Sequence, residues 1–281
     1  MKLKQDSTLY KYMHEYNHEY FLYKEEWNEH YQNLRETIKN NLNNVCDFAL
    51  VGCGSLVEEL DNEIVSKTDS VTLIDIIDDF LLHAKRKLSH GNVHTLNFDI
   101  TLGLAEEFSQ SLWEAVKSSD PAFFISSLKP ELRFIHREEQ FDFIVQSMVL
   151  NFFAYPSYVG VIEYIEKESM DSALVVKVQK AMLAFNHVAA QIAMAVMYSL
   201  CKKNGTLVVF TDIERIPERS ASSFSTQTIY FPKPIKWYVE GAGFQVIGQK
   251  TTEWKDAPAG PNKHKHVVQH IVAKKSGTIL S

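Results

Sequence analysis

Cysteine is scarce in this chain, and its three residues, Cys46, Cys53 and Cys201, are an odd and widely spaced set. Such spacing argues against a disulfide framework and points to a reducing compartment. Positive charge is short as well: 29 Lys and Arg against 35 Asp and Glu leave a net charge of −6. A broad phosphate-binding surface needs the opposite balance, so nucleic acid is not an expected partner. No repeat, linker or low-complexity tract is visible. The most apolar region, 173–200, is interrupted by Lys177, Lys180, Asn186, His187 and Gln191. It reads as short of the roughly 20-residue apolar span that a bilayer requires. Met1-Lys-Leu-Lys-Gln-Asp6 continues into polar and aromatic residues, not into the apolar core of a signal peptide. The expectation is a soluble, cytoplasmic protein with no membrane partner.

What is present is an ordinary globular composition, 45% hydrophobic and 23% charged over 281 residues, enough for one sizeable core. Short apolar runs near 47–51, 71–76, 93–98, 141–149 and 204–212 alternate with helical segments. Alternation of this kind predicts a mostly parallel sheet with helices on both faces. Two late runs, from Phe244 and from Val267, flank the turn-rich 256–263 and read as an antiparallel hairpin. The predicted fold is α/β: a doubly wound, mostly parallel, seven-stranded sheet in a single domain, 1–281. Residues 1–44 form an N-terminal helical cap, and 45–276 form the core. Insertions at 105–140 and 151–172 lengthen two connections, and long connections in compact domains commonly serve as lids or binding loops.

The chemistry concentrates at Phe48-Ala-Leu-Val-Gly-Cys-Gly-Ser55. Ala49-Leu50-Val51 reads as a buried strand, and Gly52 and Gly54 permit a tight turn with close approach of a ligand to the backbone. Val57-Glu58-Glu59-Leu60 reads as the start of a helix whose free N–H groups point at that ligand. Asp75 ends the next apolar run, where a βαβ nucleotide-binding unit offers a carboxylate to ribose hydroxyls.

The turn resembles motif I of the class I S-adenosylmethionine-dependent methyltransferases. Asn97-Phe98-Asp99-Ile100, Ser147-Met148-Val149-Leu150 and Asn204-Gly205-Thr206-Leu207-Val208 resemble later motifs of that family, so the likeness runs from about residue 45 to 276. Two positions depart from it: Leu50 stands where an acid often precedes the turn, and Leu56 replaces the third glycine. The resemblance implies S-adenosyl-L-methionine as cofactor, held by Gly52, Cys53, Gly54, Asp75, Ile76, Asp99, Ile100 and Ser147, with Asp75 at the ribose and Asp99 near the adenine. It implies methyl transfer to a nitrogen or oxygen of a small molecule. The alternatives are a protein or peptide methyltransferase, a binding protein without catalysis and, more distantly, an aminopropyl transferase. Metal-dependent members carry acidic ligands after the fourth strand, and Ser147–Asn151 holds none, so no metal is expected.

Other patterns carry less. His14-Glu15-Tyr16-Asn17-His18 matches H-E-x-x-H, but no third ligand follows and no upstream sheet frames a peptide, so a solvated helix face is the expectation. His264, His266 and His270 have even spacing and read as solvent-exposed hairpin histidines. Tyr12, Tyr16, Tyr20, Tyr23, Trp27 and Tyr31 form a stripe at helical spacing over 8–43. Packing against the core is its simplest role, and closure of a substrate site the sharper one. Tyr16, Tyr20 and Tyr23 are then candidate substrate contacts, and His18 and Glu214, the latter placed just beyond the fifth strand, candidate catalytic groups. Cys53 reads as a small residue that fits its turn.

Overall fold

The computed structural model describes residues 10, 11, 14, 27–42, 45–54, 57–88, 92–133, 138, 140–147, 150, 153, 155–217, 228–256 and 264–276. One sheet organises them. Its strands are β1 (Val45–Val51), β2 (Thr68–Asp75), β3 (Val93–Asn97), β4 (Phe141–Ser147), β5 (Cys201–Pro217), β6 (Thr228–Ile229), β7 (Phe244–Asp256) and β8 (His264–Lys275). Seven of them form the path β3-β2-β1-β4-β5-β8-β7, and the two-residue β6 pairs with β5. Strands β1 to β5 pair in parallel, and β8 runs antiparallel to both β5 and β7. The predicted doubly wound sheet with a late hairpin is therefore the observed one.

Alternation along the central strands sends side chains to two different cores. Phe48, Leu50, Phe143, Val145, Val208 and Phe210 face one side. They meet Leu34 and Ile38 of α1 (Asn28–Asn41) and Leu81 and Ala84 of α3 (Asp78–Lys87). Between these helices lies the five-residue α2 (Asn62–Ser66). Ala49, Val51, Ile144, Val209 and Ile271 face the other side. That side is covered by α4 (Leu104–Val116), α5 (Pro121–Ser127), α6 (Tyr155–Lys167), α7 (Ala173–Leu200) and α8 (Ile235–Gly241).

Helices take up much of both insertions: α4 and α5 lie in the first, and α6 forms most of the second. Pro121 opens α5 where its missing N–H costs nothing, and the Asp120 carboxylate accepts from Phe123 N at 3.0 Å. Helix α7 differs from the sequence reading. It is one continuous helix of 28 residues, long and apolar enough by composition to cross a bilayer. Its apolarity has a packing cause, because Val178, Met182, Phe185, Ala189, Ala193 and Met197 are all buried in the core. Strand β5 is also longer than the predicted 204–212, extending through Pro217.

The stacked pair Phe48 and Phe143, 5.6 Å between ring centroids and nearly parallel, locks β1 to β4 beneath the glycine turn. Both rings are fully buried. Phe143→Ala should lower unfolding free energy by about 3–5 kcal/mol, with the urea m-value unchanged.

Candidate cofactor site

The Gly-x-Gly turn leaves the carboxyl end of β1 with Gly52 and Gly54 at φ 74° and 56°, both in the left-handed region. Among the described residues, a Cβ built on Gly54 would meet nothing within 4 Å, so they leave that face of the turn open. Gly52 N–H donates to Ile74 C=O at 2.8 Å, which fastens the turn to β2. Asp75, 6% exposed, completes the junction: its carboxylate accepts from Gly54 N–H at 3.1 Å and from Ile77 N–H at 3.0 Å. Burial pushes this carboxyl up to about 6, against the pull of those backbone donors.

No helix begins at Val57, contrary to the sequence reading. Val57 sits at φ 47°, a region a β-branched residue enters only under constraint. Leu60 N–H closes a turn onto Val57 C=O at 3.0 Å. The helix waits for Asp61, whose carboxylate caps Ile64 N–H at 3.0 Å. The resulting loop carries Glu59 inward, where the Ser147 hydroxyl at the end of β4 donates to Glu59 Oε1. Glu59 is 6% exposed and joins no ion pair among the described residues; burial pushes it up to about 7. Cys53 lies between the two acids, its thiol raised well above the ordinary value by burial first and by their charges second. A raised thiol is a poor nucleophile, in keeping with a small packing residue.

Asp99 follows the end of β3 by two residues, and its carboxylate already accepts from Thr101 N–H and Thr101 Oγ1–H, both at 2.7 Å, and from Gly103 N–H at 2.8 Å. It therefore shapes the turn into α4. Ile100 is buried in the core beside it, and Ile76 packs at the core margin with its C=O held by Asn97 Nδ2 at 2.9 Å.

The remaining candidates scatter. His18, Tyr16, Tyr20 and Tyr23 lie outside the described residues, as do Tyr12 and Leu56. The flanks of that N-terminal segment are placed. Tyr10 OH donates to Asp79 Oδ2 at 3.1 Å, and the His14 ring sits 5.0 Å from Phe80, at the start of α3 beyond the carboxyl end of β2. Trp27 is 2% exposed and meets Trp254 edge-on at 5.1 Å, toward the carboxyl end of β7. Trp27 is thus a packing residue. Glu214 lies within β5, paired with Ile229 and Val267, because that strand continues past the sequence boundary.

Two of the three hairpin histidines are not solvent-exposed: His266 is 7% and His270 1% exposed. The strands are long enough to carry both under α1. His266 Nδ1 pairs with Asp212 Oδ2 at 2.9 Å, and Trp254 Nε1–H donates to Asp212 Oδ1 at 3.1 Å. His30 stacks on Trp254, and burial lowers its imidazole to about 4. His270 bridges Thr37 Oγ1 at 3.1 Å and Thr252 Oγ1 at 2.7 Å. Since the Thr37 hydroxyl proton is engaged with Asn33 C=O, Nδ1 of His270 is the protonated nitrogen and Nε2 accepts from Thr252. Burial lowers this imidazole to about 3.

Sequence reasoning missed Glu59, Gln146 and Asp212. Gln146 carried a signal, a lone carboxamide inside the apolar Phe143-Ile-Val-Gln-Ser147 run. Glu59 carried none, because a Glu-Glu pair ordinarily reads as solvated.

No protein-family model and no curated protein matches the chain. Solved structures do. A Bacillus halodurans C-125 protein assigned as a methyltransferase aligns at TM-score 0.50 and 12% identity, covering 87% of this chain and 99% of that one. A SAM-dependent methyltransferase of Methanosarcina mazei aligns at 0.47 and 14% identity, covering 85% and 97%. The N-methyltransferase NodS of Bradyrhizobium japonicum aligns at 0.46 and 12%, covering 90% and 97%. The fold is the Rossmann-like fold of the S-adenosylmethionine-dependent methyltransferases.

The charge on Glu59 has a defined sign of effect. Its folded value, about 7, lies above the unfolded carboxyl value of about 4.3. Between the two the native state binds the extra proton, so this group's contribution falls as pH rises and is fully lost above 7. Asp75 acts in the same sense, and the lowered His30 and His270 act oppositely below about 6.5. A variant difference isolates Glu59: Glu59→Gln should gain stability over the parent between pH 5 and pH 8, by roughly 1–3 kcal/mol in urea titrations.

Proposed function

We propose that the chain is a methyltransferase that binds S-adenosyl-L-methionine over the carboxyl ends of β1, β2 and β3 and methylates a nitrogen or oxygen of a small molecule without a metal. The observation that carries this reading is the pair of buried carboxylates, Asp75 and Glu59, on either side of an open Gly-x-Gly turn. The residues fit the cofactor. Asp75 is aligned to accept from ribose hydroxyls, using the lone pairs its backbone donors leave. Glu59 has a buried negative charge to offer a cation, and the ammonium of the methionine moiety is one. It replaces in space the acid that Leu50 lacks in sequence. Asp99 serves here chiefly by shaping the wall near the adenine.

When bound, the cofactor supplies a methyl group on a sulfonium, open to in-line attack by a lone pair. The protein's part is placement and charge. Glu59 near neutrality gives up its proton as a cation arrives, and Gly54 lets that group lie against the backbone. Metal independence is read from the Ser147–Asn151 segment, whose sequence holds no acid. The placed flanks, Tyr10 and His14 by α3 and Trp27 by β7, stand at opposite halves of the sheet. Tyr16, His18, Tyr20 and Tyr23, which lie outside the described residues, are proposed as substrate-side groups from their sequence pattern alone.

Calorimetry tests the cofactor reading. The parent should bind S-adenosylmethionine, and Asp75→Ala should weaken it by about 1.5–3 kcal/mol. Glu59→Gln should weaken S-adenosylmethionine but leave 5′-methylthioadenosine, which has no ammonium, unchanged. No binding by the parent refutes the reading, and equal losses for both ligands in Glu59→Gln refute the role of Glu59. Deletion of residues 1–24, which spares Trp27 and His30, should cut turnover at least tenfold and affect cofactor affinity less. Parent-level turnover would assign the segment to packing alone.

A further inference from the structure

Three buried carboxamides on one face of the sheet hold hydrogen-bonding atoms that the fold does not use. Gln146 is fully buried in β4, and neither its Oε1 nor its Nε2 has a partner. Asn186, fully buried in α7, donates through Nδ2 to Tyr230 C=O at 2.8 Å, while its Oδ1 is unpartnered. Gln269 of β8 is 6% exposed with Oε1 unpartnered. An unsatisfied buried polar group costs about 1–3 kcal/mol, and native proteins keep few of them.

Register puts Gln146 and Gln269 on one face of the sheet, with β5 between their strands. Gln146 lies opposite Val209 on β5, and Thr211, two residues further on the same face, lies opposite Gln269 on β8. Ile144, Val209 and Ile271 share that face with the α6–α7 layer. Tyr230, the acceptor for Asn186, donates its N–H to Ile213 C=O at 3.2 Å, two residues beyond Thr211. A polar row therefore crosses β4, β5 and β8 toward the carboxyl ends, beneath α7. The buried acids are engaged elsewhere: Glu59 with Ser147, Asp212 with His266 and Trp254, Asp99 with its own turn, and Asp75 with the glycine turn.

We propose that Gln146, Gln269 and Asn186 form a second binding site, for an uncharged small molecule that presents a hydrogen-bond donor beside an acceptor, as a lactam or carboxamide edge does. A carboxamide offers C=O and NH₂ side by side and meets such an edge with two bonds. Buried amides without a compensating charge discriminate against ionised ligands, whose desolvation they do not repay. The site adjoins the carboxyl end of β4, one strand from the glycine turn, and its role as the methyl-acceptor site rests on the cofactor reading above. Ligand binding at the site does not.

The probe is 2-pyridone, whose N–H and C=O are adjacent, with N-methyl-2-pyridone and benzoate as controls. Side-chain NH₂ resonances of the full chain, assigned through Gln146→Met and Gln269→Met, should shift with 2-pyridone and not with either control. Gln146→Met should raise Tm, since an orphaned amide is replaced by an apolar chain of similar length, and should weaken 2-pyridone at least tenfold. Its affinity for S-adenosylmethionine should match the parent's. Absence of 2-pyridone shifts, equal shifts with N-methyl-2-pyridone, or a lowered Tm in Gln146→Met would each overturn the site. Failure of the parent to bind S-adenosylmethionine would instead remove only the acceptor role.

Discussion

A carboxylate at the end of β2 holds the functional end of this sheet together. Asp75 reaches back to Gly54 and forward to Ile77, so one side chain fixes the exit from β1 and the entry to α3. These bonds are to backbone N–H groups that would otherwise be buried without acceptors, which makes the arrangement costly to disturb. The glycine turn keeps its open face because this anchor, and not a helix, sets its shape. The loop after it is free to turn inward and deliver Glu59.

The two faces of the sheet divide the polar work. Under α1, Asp212 takes both His266 and Trp254, and His270 is held between two threonines. Partners of that kind satisfy one another and rigidify the β5–β8–β7 end. Under α7, the carboxamides Gln146, Asn186 and Gln269 have atoms to spare.

Strand positions, the glycine turn and the acid after β2 were legible because each depends on local pattern: apolar runs of strand length, φ-permissive residues and a carboxylate at a fixed offset. Helix starts were less so. Val57-Glu-Glu-Leu60 has good helical composition, yet Val57 takes a left-handed backbone and Asp61 holds the better cap. The histidines misled because period-two spacing next to a turn-rich loop is compatible with either face, and burial depended on α1 arriving from far upstream. Leu56 and the tyrosine stripe from Tyr12 to Tyr23 fall outside the described residues.

The reversed strand β8 has a consequence for how this protein is made. It is synthesised after both of its neighbours, yet it sits between them. Until it emerges, β5 and β7 each expose an unpaired edge, and Asp212 lacks His266. A nascent chain therefore carries an open slot beside the nearly finished parallel half. Any extended segment of another chain could enter it, and edges of this kind are where polypeptides on crowded ribosomes cross-associate. Swift release of β8 is thus a condition for a clean yield of correctly paired product.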